Sequence, residues 1–236
     1  MAKNKTRIPE QKIEAPETLD GHPFYGIKPD KEQKILIDAI WSKDYDIIMV
    51  NAVAGSGKTT IATAVANLLV QYGRYDNIVY IMCPYGERKQ GWLPGSISEK
   101  SSVYFDGFYQ ALVECGVNIM TAINDESMIN QKNGTGYITC ITDTFLRGTN
   151  LNNTILILDE SQNASVSQIK KILTRVGDNT KVIMIGHDLQ CDLEDKSQSG
   201  FVKYINHFKD KERAVVCELK TNHRGWISQW ADSYIE

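Results

Sequence analysis

The sequence predicts an α/β fold in which a mostly parallel sheet is flanked by helices on both faces. Three observations carry this. Short apolar, β-prone runs alternate with segments whose apolar residues recur at helical spacing. A glycine-bearing loop joins the first of those runs to a helix. A later run, Ile155-Leu156-Ile157-Leu158, ends in the two acids Asp159 and Glu160.

Residues 1–26 are polar, carry Pro9, Pro16 and Pro23, and read as a flexible N-terminal arm. Residues 27–236 read as a single domain with an insertion at about 83–135. Ile35, Leu36, Ala39 and Ile40 predict a helix over Lys31–Trp41. Asp46–Val50 is the first strand. After the glycine loop, Ile61, Val65, Leu68, Leu69 and Tyr72 mark a helix that Gly73 ends. Asn77–Met82 is the second strand. Tyr104, Phe105, Phe108, Ala111 and Leu112 share a helix within the insertion. Tyr137–Ile141, Thr154–Leu158, Lys181–Ile185 and Arg213–Leu219 complete six strands. A helical stripe at Val166, Ile169, Ile172, Leu173 and Val176 lies between the fourth and the fifth.

Composition bounds the function. The chain has 236 residues, 42% hydrophobic and 23% charged, which excludes collagen-like and disordered chains. The 26 basic and 29 acidic side chains leave a net charge of -3, so a strongly basic nucleic-acid binder is not indicated and only a local patch remains open. No apolar run is long enough to span a bilayer, and no secretory signal follows the charged N-terminus. Five scattered cysteines without a Cys-x-x-Cys pair fit buried thiols in a reducing cytoplasm. Four dispersed histidines give no zinc site.

The strongest motif is Ala52-Val53-Ala54-Gly55-Ser56-Gly57-Lys58-Thr59, a phosphate-binding P-loop with Ala52 in place of its first glycine. Backbone N–H groups from Ala54 to Thr60, at a helix N-terminus, would surround the β-phosphate. Gly55 and Gly57 admit positive φ and close approach. Lys58 neutralises β/γ charge, and the Thr59 hydroxyl ligates Mg²⁺. The acids after the Ile155–Leu158 run form the second motif. Asp159 would hold Mg²⁺ through water, and Glu160 would orient or deprotonate the attacking water. Together they point to hydrolysis of a bound nucleotide.

Gly186-His187-Asp188-Leu189-Gln190 follows another strand, and Gln190 suits a γ-phosphate sensor. Arg147, Arg175 and Arg224 lie near element ends, where one can supply a positive charge to the transition state. Gln33 precedes the first strand, and its amide matches the donor and acceptor of an adenine edge. Tyr85, Arg88, Lys89, Trp92 and Lys100 interleave aromatic and basic side chains, a composition suited to single-stranded nucleic acid and equally to ordinary packing.

These residues resemble the PhoH-like proteins, a family of bacterial and phage P-loop ATPases. The likeness includes Cys83-Pro84, Gly86-Glu87, Gly91-Trp92-Leu93-Pro94-Gly95 and Glu99-Lys100. It continues through Arg147-Gly148, Leu158-Asp159-Glu160-Ser161-Gln162-Asn163, Leu173-Thr174-Arg175-Val176-Gly177 and Ser199-Gly200. Two departures stand out. His187 replaces the family's acid, and His223-Arg224 reverses its Arg-His, giving an Asn222-His223-Arg224 similar to a motif of superfamily 1 helicases.

The resemblance implies a RecA-like P-loop NTPase fold, ATP with Mg²⁺, a cytoplasmic location (that of the bacterial host for a phage-encoded member) and a homo-oligomer, a hexameric ring. It also implies RNA or single-stranded nucleic acid as a coupled substrate in some members. Family register favours Arg175 as the finger, and the helicase-like motif favours Arg224. The rival reading is an ATP-regulated assembly switch without motor activity.

Overall fold

The computed structural model describes residues 14–83, 103–124, 136–142 and 151–232. Six strands form one parallel sheet: β1 (Ile47–Ala52), β2 (Asn77–Met82), β3 (Ile138–Thr142), β4 (Thr154–Asp159), β5 (Thr180–Gly186) and β6 (Ala214–Leu219). Their order across the sheet is β3-β2-β4-β5-β1-β6. The helices are α1 (Lys31–Trp41), α2 (Lys58–Gln71), α3 (Asp106–Glu114), α4 (Ile119–Ala122), α5 (Val166–Leu173), α6 (Phe201–Phe208) and α7 (Trp226–Asp232).

Period-two alternation along the strands divides the core into two layers. Ile48, Val50, Ile155, Ile157, Ile183 and Ile185 face one way, onto Leu36, Ile40, Ile61, Val65 and Phe108 from α1, α2 and α3. Met49, Leu156, Leu158, Val182 and Met184 face the other way, onto Ile169 and Ile172 of α5 and Phe201 of α6. Burial on both faces explains why the central strands read as unbroken apolar runs. The fold is RecA-like α/β, as expected.

Element ends differ from the pattern by a residue or two. β1 runs on to Ala52 because its pairing with β6 continues to Leu219. β4 includes Asp159, which pairs with Met82. Tyr104 and Phe105 belong to a short 3-10 turn ahead of α3. Three helices were not anticipated, the short α4, α6 and α7. Within the expected arm, Leu19 and Phe24 are buried in the core layer of α1 and α2, and Trp41 Nε1 donates to Pro16 O at 3.1 Å. Arg147 and the aromatic and basic residues between 85 and 100 lie outside the described residues. Among the described residues, no helix is long and apolar enough to cross a membrane.

Candidate active site

The site lies at the carboxyl ends of β1, β4, β5 and β6, where a parallel sheet delivers its loops to one edge. The P-loop leaves β1 at Ala52 and enters α2 at Lys58. Gly55 (φ 69°) and Gly57 (φ 77°) take left-handed conformations, which a side chain resists. At Gly55 a Cβ would also run into Asn222 Oδ1 and lie 2.7 Å from Arg224 Cγ. Lys58, Thr59 and Thr60 form the first turn of the 14-residue α2, whose N–H groups and dipole favour an anion. Ser56 is buried, and its hydroxyl makes no hydrogen bond among the described residues.

The loop is held from outside by other segments of the same chain. Val53 N donates to Leu219 O at 3.0 Å, and His223 N donates to Gly55 O at 2.9 Å. Gln33 Nε2 donates to Ser56 O at 2.8 Å, while Gln33 Oε1 accepts from Asp30 N at 3.0 Å. His223 Nε2 lies 2.8 Å from Asp30 Oδ2, and Glu32 Oε2 accepts from the backbone of Lys220 and Thr221. Residues 220–224 are thereby fastened to the start of α1 and laid against the P-loop.

Of the two acidic residues, Asp159 is hydrogen-bonded to the start of α2. Thr59 Oγ1 donates to Asp159 Oδ2 at 2.8 Å. Tyr80, fully buried on β2, donates to the same oxygen at 2.8 Å. Asp159 Oδ1 accepts from Glu160 N at 2.9 Å. Burial and the nearby Asp159 charge push the Tyr80 hydroxyl well above its usual range, so it stays a donor. No group of three or more His, Cys, Asp or Glu among the described residues could hold an ion. Thr59 and Asp159 together still fit a hydrated Mg²⁺ completed by phosphate oxygens, the usual way that ion is bound beside a nucleotide.

Glu160 sits at φ 52°, ψ 38°, left-handed for a residue with a side chain. Such backbone strain concentrates at functional positions. Burial raises its pKa, the neighbouring Asp159 raises it further, and Lys58 opposes both. A carboxylate pushed toward neutrality suits a general base.

Gln162 is the site residue that motif reading passed over as part of a signature. It is buried. Its Nε2 donates to Glu160 Oε2 at 2.6 Å and to Gln190 O at 3.3 Å. Its Oε1 accepts from His187 N at 3.2 Å. One side chain therefore ties the β4 acid to the loop after β5. Asn51 Oδ1, at the end of β1, accepts from Asp188 N at 3.1 Å and anchors that loop from the other side. Gln190 itself is exposed at this edge.

The two candidate arginines part company. Arg224 lies against Gly55 of its own P-loop. Arg175 lies at the opposite end of the sheet, where its carbonyl accepts from Leu151 N ahead of β4. β5 spans seven residues, which at about 3.3 Å per residue puts Arg175 roughly 20 Å from the P-loop edge. The structure thus gathers Lys58, Thr59, Asp159, Glu160, Gln190 and Arg224 at one edge and leaves Arg175 apart.

Comparison with known proteins agrees with this geometry. The family model described as "PhoH-like protein" matches residues 27–231. A PhoH-like protein of Mycobacterium leprae is 31% identical over 209 residues, covering 86% of this chain and 57% of its own. Protein PhoH of Escherichia coli K12 is 32% identical over 183 residues, covering 76% of this chain and 49% of its own. The chain therefore spans about half the length of the curated relatives it matches.

Among solved structures, the HK97 bacteriophage large terminase superposes with a TM-score of 0.54 at 14% identity, covering 81% of this chain and 39% of that one. The DUF1998 helicase MrfA gives a TM-score of 0.51 at 12% identity, over 87% of this chain and 30% of that one. Those likenesses establish the shared fold. The P-loop, the Asp159-Glu160 strand end and the family match over nearly the whole chain agree: this protein belongs to the PhoH-like family.

Proposed function

We propose that the chain is an Mg²⁺-dependent ATPase. The observation that carries this reading is the 2.8 Å hydrogen bond from Thr59 Oγ1 to Asp159 Oδ2, which joins the phosphate loop to the acidic strand end. Thr59, and Asp159 through water, would hold Mg²⁺, which would supply positive charge against the nucleotide's phosphates.

Lys58 and the amides at the start of α2 bind the same phosphates. Glu160 takes the proton of the attacking water at a carboxylate oxygen, and Gln162 holds that carboxylate in place. Gln190, on the loop after β5 at the same edge, is the γ-phosphate sensor in this reading. Arg224 is placed to offer positive charge from within the chain.

The reading extends to a ring-shaped homo-oligomer, hexameric, that couples turnover to RNA or single-stranded nucleic acid. Its support is the family resemblance; Arg175, remote from its own P-loop, is the residue with which a shared site can be tested. The test is phosphate release with Mg²⁺ and ATP, with and without RNA, for the wild type and Lys58→Ala. Loss of turnover in folded Lys58→Ala and stimulation by RNA are expected. Undiminished turnover in Lys58→Ala overturns the P-loop assignment. Slow turnover indifferent to RNA assigns the chain instead to ATP-regulated assembly.

A further inference from the structure

We infer that Gln33 is a positioning residue for the P-loop, acting with His223, and that it does not read the nucleobase. A base reader must turn both a donor and an acceptor toward the adenine edge. Gln33 is 8% exposed, and both ends of its amide are engaged inside the chain. Oε1 closes the capping box of α1 by accepting from Asp30 N. Nε2 donates to Ser56 O at 2.8 Å and packs so closely on the loop that a Cβ on Gly57 would lie 2.9 Å from it.

The consequence follows from the planarity of the peptide. In a trans peptide the C=O and the next residue's N–H point in opposite directions. Fixing Ser56 O toward Gln33 therefore turns Gly57 N–H away from α1. Fixing Gly55 O toward His223 N, at 2.9 Å, does the same for Ser56 N–H, which otherwise makes only a 3.4 Å contact with Val53 O. Two adjacent amides of the loop are preset in orientation by donors on its outer side. Asp30 links the two devices, since its carboxylate accepts from Gln33 N at 2.8 Å and lies 2.8 Å from His223 Nε2. A phosphate then meets amides already turned, with less ordering left to do on binding.

This inference rests on the phosphate-binding reading of the loop and deepens it. Its signature is a loss of affinity indifferent to the base. The experiment measures binding of ATP, GTP and inorganic tripolyphosphate, each with Mg²⁺, by calorimetry to the wild-type chain, Gln33→Glu and Gln33→Met. Gln33→Glu keeps an acceptor for Asp30 N and sets an oxygen against Ser56 O. Gln33→Met removes the donor without adding charge, and serves alone where the glutamate variant does not fold.

All three ligands are expected to weaken by a common factor of about tenfold, the equivalent of about 1.4 kcal/mol, with thermal unfolding showing an intact fold. Loss confined to ATP, with GTP and tripolyphosphate unchanged, overturns the inference and makes Gln33 a base reader. Unchanged affinity for all three in both variants overturns it as well. Failure of the phosphate-binding reading looks different: the wild type itself binds none of the three.

Discussion

Tyr80 donates to the same Asp159 oxygen that accepts from Thr59, each at 2.8 Å. A tyrosine in the middle of a buried strand thus fixes the carboxylate beside the P-loop. Tyr80→Phe keeps the ring, which stacks on Phe108 with centroids 4.1 Å apart, and removes only the donor. A buried hydrogen bond to a charged group contributes about 1.5–3 kcal/mol, and urea unfolding is expected to show a loss of that order. An unchanged midpoint would mean that the hydroxyl does not hold the acid.

Glu160→Gln separates binding from chemistry. The shape is retained and the base is lost, so ATP is expected to bind while single-turnover hydrolysis falls by about 100-fold or more. Gln162→Leu, which frees the Glu160 carboxylate, is expected to lower kcat with little change in ATP affinity. If affinity collapses in Glu160→Gln while turnover per bound ATP stays normal, Glu160 is a binding residue.

The arginines give opposite expectations on mixing. Arg224 lies against its own P-loop, so Arg224→Ala and Glu160→Gln damage the same site from within one chain. Mixing those two proteins is expected to restore no activity beyond the sum of the two. Arg175 lies at the far edge of the sheet. If it serves a neighbour, Arg175→Ala mixed with Glu160→Gln forms some interfaces with both groups intact, and activity returns. ATPase rates of mixed samples against concentration decide the matter, because a site shared between subunits loses specific activity on dilution.

Gly55→Ala places a Cβ at φ 69°, facing Asn222 Oδ1 and Arg224 Cγ. Left-handed strain of about 1–3 kcal/mol adds to that collision. The loop and the segment over it must separate, and ATP affinity is expected to fall by about tenfold or more with helical circular dichroism retained. Unchanged affinity would show that residues 222–224 yield without cost.

Lys181 predicts a pH dependence of stability. It is almost wholly buried, and its Nζ donates to Ser42 O at 2.7 Å and to Tyr45 O at 2.6 Å. Burial pushes its pKa from 10.5 down to about 8, with the Arg74 charge acting in the same direction. Between those two values the unfolded chain holds a proton that the folded chain has released, so stability rises with pH across the window. The full rise is at most about 3.5 kcal/mol, at about 1.4 kcal/mol per pKa unit. Below the folded value both states are protonated and the burial cost stands in full. Lys181→Met strands two carbonyls and is expected to be less stable at pH 7.5, without the alkaline gain. Urea midpoints at pH 7.5 and 9.5 check both statements, and parallel behaviour of the two proteins would count against them.

The strands and the P-loop were legible because they are written in contiguous residues. β2 matches its predicted range and α1 does too, since an alternating or helical stripe needs no partner to be seen. Asp159 and Thr59 were legible as motif members, though not as hydrogen-bonded neighbours. Tyr80 carried no signal, because an aromatic in a β-branched run reads as packing. Gln162 was visible as a letter of a signature, but its bridge to Gln190 exists only once β4 and β5 lie side by side. α6 was readable at Phe201, Tyr204, Ile205 and Phe208, which recur at helical spacing, and was hidden by the polar stretch before it. Gln33 had the right chemistry for two roles, and only its partners distinguish them.

The sheet order has a consequence for how the protein is made. β1, which carries the P-loop, pairs with β5 and β6 alone: Ile47 lies opposite Val182 and Ala214. During synthesis the chain must therefore carry an unpaired hydrophobic strand until most of it has emerged. β2 pairs with β3 on one side and β4 on the other, and these three can assemble first. Such distant pairings slow folding and leave a strand edge open to other chains meanwhile. The proposed nucleotide site is among the last parts to close, so a ligand of the P-loop would meet only the nearly finished sheet and would leave early intermediates unstabilised.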